Sequence, residues 1–198
     1  WLRVLVVEDA ELRKPLLSLA LLLVLVRFLV RLLLCRRRRD GGVDVIFDYS
    51  FETSYGPVEV QGVTTFLDTY DITELPGASP IACSGNWGGS CGKNPLPETS
   101  GKYKATLSTE WDTDVSLGLR YLGETTDLNS NKIDFDATTY IDVTLQHMPT
   151  ENLVVTFGIN NLFDEEPGYT SDAGTAPGNG NTFPGYFDAF GQYIFLNL

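Results

Sequence analysis

From residue 43 to the end, apolar and polar side chains alternate with a period of two, which marks strands with one apolar and one polar face. The alternation predicts strands over 43–54, 57–70, 102–111, 114–123, 139–148, 153–163 and 186–198. Within 57–70, Val58, Val60, Thr64 and Phe66 share one face, and Glu59, Gln61 and Thr65 share the other with Val63 and Leu67. Within 114–123, Val115, Leu117, Leu119 and Tyr121 oppose Ser116, Gly118, Arg120 and Leu122. Such strands exceed the modal length in soluble sheets. They are long enough to cross a bilayer at a tilt, which takes about 9–11 residues. In a soluble sandwich the apolar face would point to a core. In a membrane barrel it points to lipid, and the polar face lines the lumen.

The connections separate these two readings. Short links (54–57, 111–114, 149–152) alternate with long ones (71–101, 124–138, 164–185). In an up-and-down meander this places every long loop at one end of the sheet, as in outer-membrane barrels. Tyr70, Tyr103, Trp111, Tyr140, Phe163 and Tyr186 fall near the predicted strand ends, where interfacial aromatic girdles are expected. The expected fold is therefore all-β: an antiparallel up-and-down membrane β-barrel fragment of about seven strands, not closed, with an N-terminal Leu/Arg-rich helical segment.

That segment differs sharply in composition. Residues 1–40 carry nine Lys/Arg, four Asp/Glu and 14 leucines, a net charge of +5. Residues 41–198 carry five Lys/Arg and 22 Asp/Glu, a net charge of −17, and Arg120 is the only arginine beyond Arg39. The chain thus divides into 1–40 and 41–198. Residues 16–34 form an apolar run broken by Ser18, Arg27 and Arg31, and its length suits a transmembrane helix. The Arg36–Arg39 run would hold its C-terminal flank in the cytoplasm, which no outer-membrane barrel permits. A non-native stretch, from a frameshift or gene fusion, and a true membrane helix both stay open. The opening Leu2-Arg3-Val4-Leu5-Val6-Val7-Glu8-Asp9 resembles the first strand of a response-regulator receiver domain. Nothing downstream supplies that fold's phospho-acceptor, so Glu8 and Asp9 receive no role in phosphotransfer. A start at Trp1 is read as a fragment, a processed product or an incomplete reading frame.

The acidic balance of 41–198 speaks against nucleic acid, which needs clustered Lys/Arg. Cys83 and Cys91 bracket a Gly/Asn/Ser-rich stretch flexible enough to bring their sulfurs together. A disulfide is expected there, in an oxidising compartment, and Cys35 is expected to stay unpaired. No catalytic residue, cofactor or metal site is expected. His147, the only histidine, stands near a tight turn without a nucleophile motif. Asp127, Asp134 and Asp136, and likewise Asp164-Glu165-Glu166, are read as solvated loop charge.

Three stretches resemble the C-terminal region of TonB-dependent receptors. The first is Gly158-Ile159 followed by Asn160-Asn161-Leu162-Phe163-Asp164 and Glu165-Glu166-Pro167, similar to that family's next-to-last strand entering its last external loop. The second is Asn179-Gly180-Asn181-Thr182-Phe183-Pro184, ahead of Phe187-Asp188 and Gly191-Gln192-Tyr193-Ile194-Phe195-Leu196. The third is Val43-Asp44 with the hairpin over 49–67, ending in Tyr70 before a Cys-containing loop. Gln192 stands where the family has Arg, and the family's terminal aromatic and its plug domain are not seen. The motif Asn160 to Asp164 is expected to be structural. The resemblance implies a piece of an outer-membrane importer for a scarce ligand such as a siderophore. Its implied partners are outer-membrane lipid, a small molecule of unread identity, and TonB through an N-terminal region. A passive pore or structural β-barrel protein is the alternative.

Overall fold

The computed structural model describes residues 29–33, 40–92, 94–129, 133–170 and 181–198. The strands are, in chain order, β1 (Leu29–Leu33), β2 (Asp40–Thr53), β3 (Gly56–Ile72), β4 (Ile81–Ala82), β5 (Asn86–Trp87) and β6 (Thr99–Thr109). They continue with β7 (Thr113–Leu122), β8 (Thr126–Asp127), β9 (Thr138–Thr150), β10 (Leu153–Asn160) and β11 (Tyr193–Asn197). One antiparallel sheet runs in the order β1-β2-β3-β6-β7-β9-β10-β11, with β4 added to the end of β3. Each long strand pairs with its neighbour in sequence, so the fold is an up-and-down meander, and the sheet is not closed. Among the described residues no helix is long and apolar enough to cross a membrane.

Register shows how the alternation is used. Directly opposed residues point to the same face, so rows can be followed across the sheet. One row reads Phe51, Val58, Leu107, Val115, Leu145, Phe157 and Leu196. The next on that face reads Tyr49, Val60, Ala105, Leu117, Val143, Ile159 and Ile194. On the opposite face a row reads Ser50, Glu59, Thr106, Ser116, Thr144, Gly158 and Phe195. One face is thus apolar across seven strands, and the other is polar. The apolar face is open to its surroundings, with Leu117 at 51% and Ile194 at 57% relative exposure. The buried hydrophobic cluster is elsewhere: Trp87, Phe135, Phe183 and Phe187 all lie in or beside the long connections.

Two glycines in the strands are covered by rings. An added Cβ on Gly62 would lie 2.5 Å from the Tyr103 ring and 2.7 Å from that of Phe47. On the polar face the Phe195 ring lies over Gly158 in the same way. An aromatic laid across a bare glycine restores apolar contact that the missing side chain gives up.

Three expectations need correction. Leu29–Leu33 is a strand and not part of a helix, because Asp44–Asp48 of β2 offers it unpaired backbone groups; residues 1–28, and with them the rest of the predicted helix, lie outside the described residues. The last strand is Tyr193–Asn197 only, since Tyr186 and Phe187 are spent on packing among the loops. The strand before it stops at Asn160, because Asn161 takes a left-handed φ of 51°. The girdle reading also changes. Trp111 (75% exposed) and Phe163 (73%) lie at opposite ends of the sheet and stand free, whereas Tyr140 is buried. Tyr103 sits in mid-strand opposite Gly62, and Tyr186 packs against the loop cluster.

The β2–β3 link is tight, with Thr53 paired to Gly56 across a two-residue turn. Gly56 has φ 128°, and a Cβ there would collide with the Ser108 carbonyl oxygen of β6. Only glycine holds that backbone without strain. Gly56→Ala should therefore destabilise the protein by about 1–3 kcal/mol, read as a lower urea midpoint after refolding in detergent micelles. An unchanged midpoint would contradict this account of the turn.

Candidate functional site

Chain direction puts the connections 73–98, 123–137 and 161–192 at one end of the sheet, and there they pack together. Strand β5 of the first pairs in parallel with β8 of the second, Asn86 opposite Thr126 and Trp87 opposite Asp127. The Trp87 ring stacks on Phe135 at 5.2 Å and meets the edge of Phe183 at 5.2 Å. Phe187 closes on Phe135 at 5.2 Å. The third loop thus supplies half of an aromatic core whose other half comes from the first two. Aromatic pairs at these separations contribute about 0.5–1.5 kcal/mol beyond their buried area.

Two covalent and polar devices shape this cap. Cys83 and Cys91 are bonded, with Cα atoms 5.3 Å apart, and both are buried; Cys35 lies outside the described residues. Asp127 is buried, which differs from the solvated acid expected of it. Its carboxylate accepts from the Asn129 amide at 2.7 Å and the Ile133 amide at 3.1 Å. Asp134 stays in the loop and accepts from the Asp127 amide at 2.9 Å. A carboxylate that closes its own turn in this way needs no cation. Among the described residues, no group of three His, Cys, Asp or Glu side chains could hold a metal ion.

Beneath the cap, the upper polar face carries a charged network. Arg120 of β7 donates from Nε to Asp142 Oδ2 and from Nη2 to Asp142 Oδ1, both at 2.8 Å. It also reaches Asp188 of the third loop at 2.9 Å. The guanidinium lies 4.9 Å from the centre of the Tyr140 ring, and the Asp188 amide donates to the Tyr140 hydroxyl at 3.2 Å. The same Asp142 accepts from the Asn161 amide at 2.8 Å.

Asn161 then fastens the loop that follows. Its Nδ2 donates to the Glu165 carbonyl at 2.9 Å, and its Oδ1 accepts from the Glu165 amide at 2.8 Å. Asp164, with φ 55°, accepts from the Gln192 amide at 2.7 Å, and Gln192 donates from Nε2 to the Leu162 carbonyl at 2.7 Å. Asn160 pairs with Tyr193 at the end of the sheet, and the Leu162 amide donates to the Ile141 carbonyl at 2.7 Å. The run from Asn160 to Asp164 therefore ties the mouth of the third loop to the top of the sheet, while the Phe163 side chain is exposed. Glu165 and Glu166 remain exposed. His147 is remote, near the tight turns, with Nδ1 2.8 Å from Thr113 Oγ1.

A cavity of about 450 Å³ opens between this polar wall and residues 184–187 of the third loop. Val63, Thr65, Ser100, Lys102, Arg120 and Tyr140 form its wall, and Tyr186 overhangs it. Pattern reading missed the role of Asp142, Asp188 and Tyr140. The signal available was Arg120, a lone arginine in a strongly acidic segment and so in need of a reason.

Comparison with family models, with curated proteins and with solved structures returns no match.

Two predictions follow from the cap. Replacing Cys83 and Cys91 together by serine should loosen it by about 2–3 kcal/mol, the chain-entropy value for so short a loop. Earlier exposure of Trp87 in a fluorescence unfolding curve would report it; coincident curves would speak against a cap held by the bridge. Burial pushes the Tyr186 phenol well above its ordinary value of 10.0, and its hydroxyl donates to the Gly123 carbonyl at 3.0 Å. The unfolded chain releases that proton near the ordinary value while the folded one keeps it. Stability is therefore fully present below about pH 10 and falls as pH rises beyond it. Tyr186→Phe should flatten that alkaline decline, and an equally steep decline in the variant would assign it elsewhere.

Proposed function

We propose that residues 41–198 are C-terminal barrel strands of an outer-membrane TonB-dependent receptor, an active importer of a scarce ligand such as a siderophore. The observation that carries the membrane reading is the uncovered apolar face, continuous over seven strands and opposed to a polar one. In water so large an apolar surface has no stable place on a monomer. In a bilayer it is the surface that meets lipid, with the polar face turned to the lumen. The loop arrangement supports the same orientation: tight turns on the periplasmic side, a disulfide-braced cap outside. The receptor reading rests on the Asn160-Asn161-Leu162-Phe163-Asp164 run leading into the last loop and on the order of elements around it. An open sheet leaves unpaired backbone groups at its edges, which lipid does not tolerate. The transporting unit is therefore a larger closed barrel, and this sheet alone neither closes nor transports.

A flotation assay with lipid vesicles tests the membrane reading. Arginine at mid-bilayer on the lipid side costs about 2–4 kcal/mol, so Leu117→Arg should abolish stable insertion of a closed, full-length receptor that carries these strands. Gln61→Arg, on the polar face, should leave it intact. Equal behaviour of the two would sink the assignment of faces. The transport reading is checked separately, by restoring the strands to a full-length receptor and measuring uptake with and without TonB. Ion conductance independent of TonB would favour the passive pore.

A further inference from the structure

We infer that the cavity under the third loop binds a small oxyanion-bearing ligand, with Lys102 as its charged contact. In the strongly acidic segment 41–198, the cations with described side chains are Lys102, Lys104 and Arg120. Their register puts all three on the polar face of two adjacent strands, Lys102 directly opposite Arg120 and Lys104 opposite Gly118. Like charges directly opposed across strands are destabilising. Arg120 is relieved by Asp142 and Asp188. Lys102 has no such relief: its cross-strand neighbours are Val63 and Arg120, and among the described residues it forms no ion pair.

The second observation is the cavity itself, about 450 Å³, a size suited to a small molecule. Among the described residues, the charged side chains lining it are Lys102 and Arg120, both cations, in a region whose net charge is strongly negative. Thr65 and Ser100 add hydroxyl donors on the same wall, and the loop segment 184–187 closes the far side. A described lining whose one uncompensated charge is the Lys102 ammonium, beside hydroxyl donors, selects carboxylate or phosphate oxygens. Charge repulsion from the acidic loops sets a threshold against weakly held anions, so affinity depends on direct contact with Lys102.

This inference deepens the receptor reading by naming the ligand's chemistry, yet its test does not need a bilayer. The full chain, refolded in detergent micelles, is dialysed to equilibrium against labelled citrate in one arm and labelled pyrophosphate in the other. The two arms distinguish carboxylate from phosphate. Saturable binding of at least one probe is expected, weakening as salt is added. Lys102→Gln should weaken it at least fivefold, while Lys102→Arg should stay within about twofold because the charge is kept. Equal affinity of the native chain and Lys102→Gln, or saturable binding of neither probe, would overturn the proposal. Binding by the native chain, together with equal flotation of the Leu117→Arg and Gln61→Arg full-length receptors, defeats the membrane reading alone. Unequal flotation of those two receptors without binding by the native chain defeats only this one.

Discussion

A sheet that hydrogen-bonds its strands in register also gathers every apolar side chain of the alternation onto one face, and that face must lie against something apolar. Among the described residues nothing covers it. The rows through Val115 and Leu117 run the width of seven strands without a second layer. A soluble domain would solve this by packing a helix or another sheet across the face. This chain instead builds its buried aromatic cluster at one end, from loops. The described core therefore sits among the loops and not against the sheet's apolar side.

The polar wall carries its own consequence. A lid that rests on it cannot be held by apolar contact alone, because the wall offers charge and hydroxyls. The third loop divides the task. Phe183 and Phe187 bind it to the other loops through ring contacts, while Asp188 binds it to the wall through Arg120. The cavity between lid and wall is held open at its rim by those two attachments, one apolar and one ionic. Lys102 and Tyr186 both line that space.

Strand order and faces were legible from alternation, since period-two patterning acts within each strand and tight turns force neighbours together. Residues 57–70 and 114–123 show this directly: the faces read from spacing are the faces set by register. The pattern failed where aromatics serve the loops. Tyr186 and Phe187 extend the alternation of the last strand in sequence, but the Phe187 ring packs on Phe135 and the Tyr186 ring on Phe187. Asp127 was misread for a related reason. Loop acids are usually solvated, and nothing local announces that this one will close a turn with two amides. Within the leucine-rich stretch, Leu29–Leu33 departs from the helical reading because the strand edge at Asp44–Asp48 pairs with it.

The Asp142 carboxylate shows why the upper wall is built from a polar network and not from packed apolar groups. One oxygen serves both the Arg120 guanidinium and the Asn161 amide, and Asn161 in turn holds Glu165 at the start of the third loop. Arg120 passes the same connection on to Asp188 near the end of that loop. Both ends of a long excursion are thus registered against a single side chain on β9. Apolar contact is non-directional and would let the loop settle in several positions over the wall. Charge-assisted bonds with fixed donor geometry select one. Burying such groups costs desolvation unless every one is partnered, and here Arg120 answers two carboxylates while Asp142 answers an amide as well. The lid's position over the cavity is therefore specified by the polar network, and the aromatic cluster supplies the greater part of its cohesion.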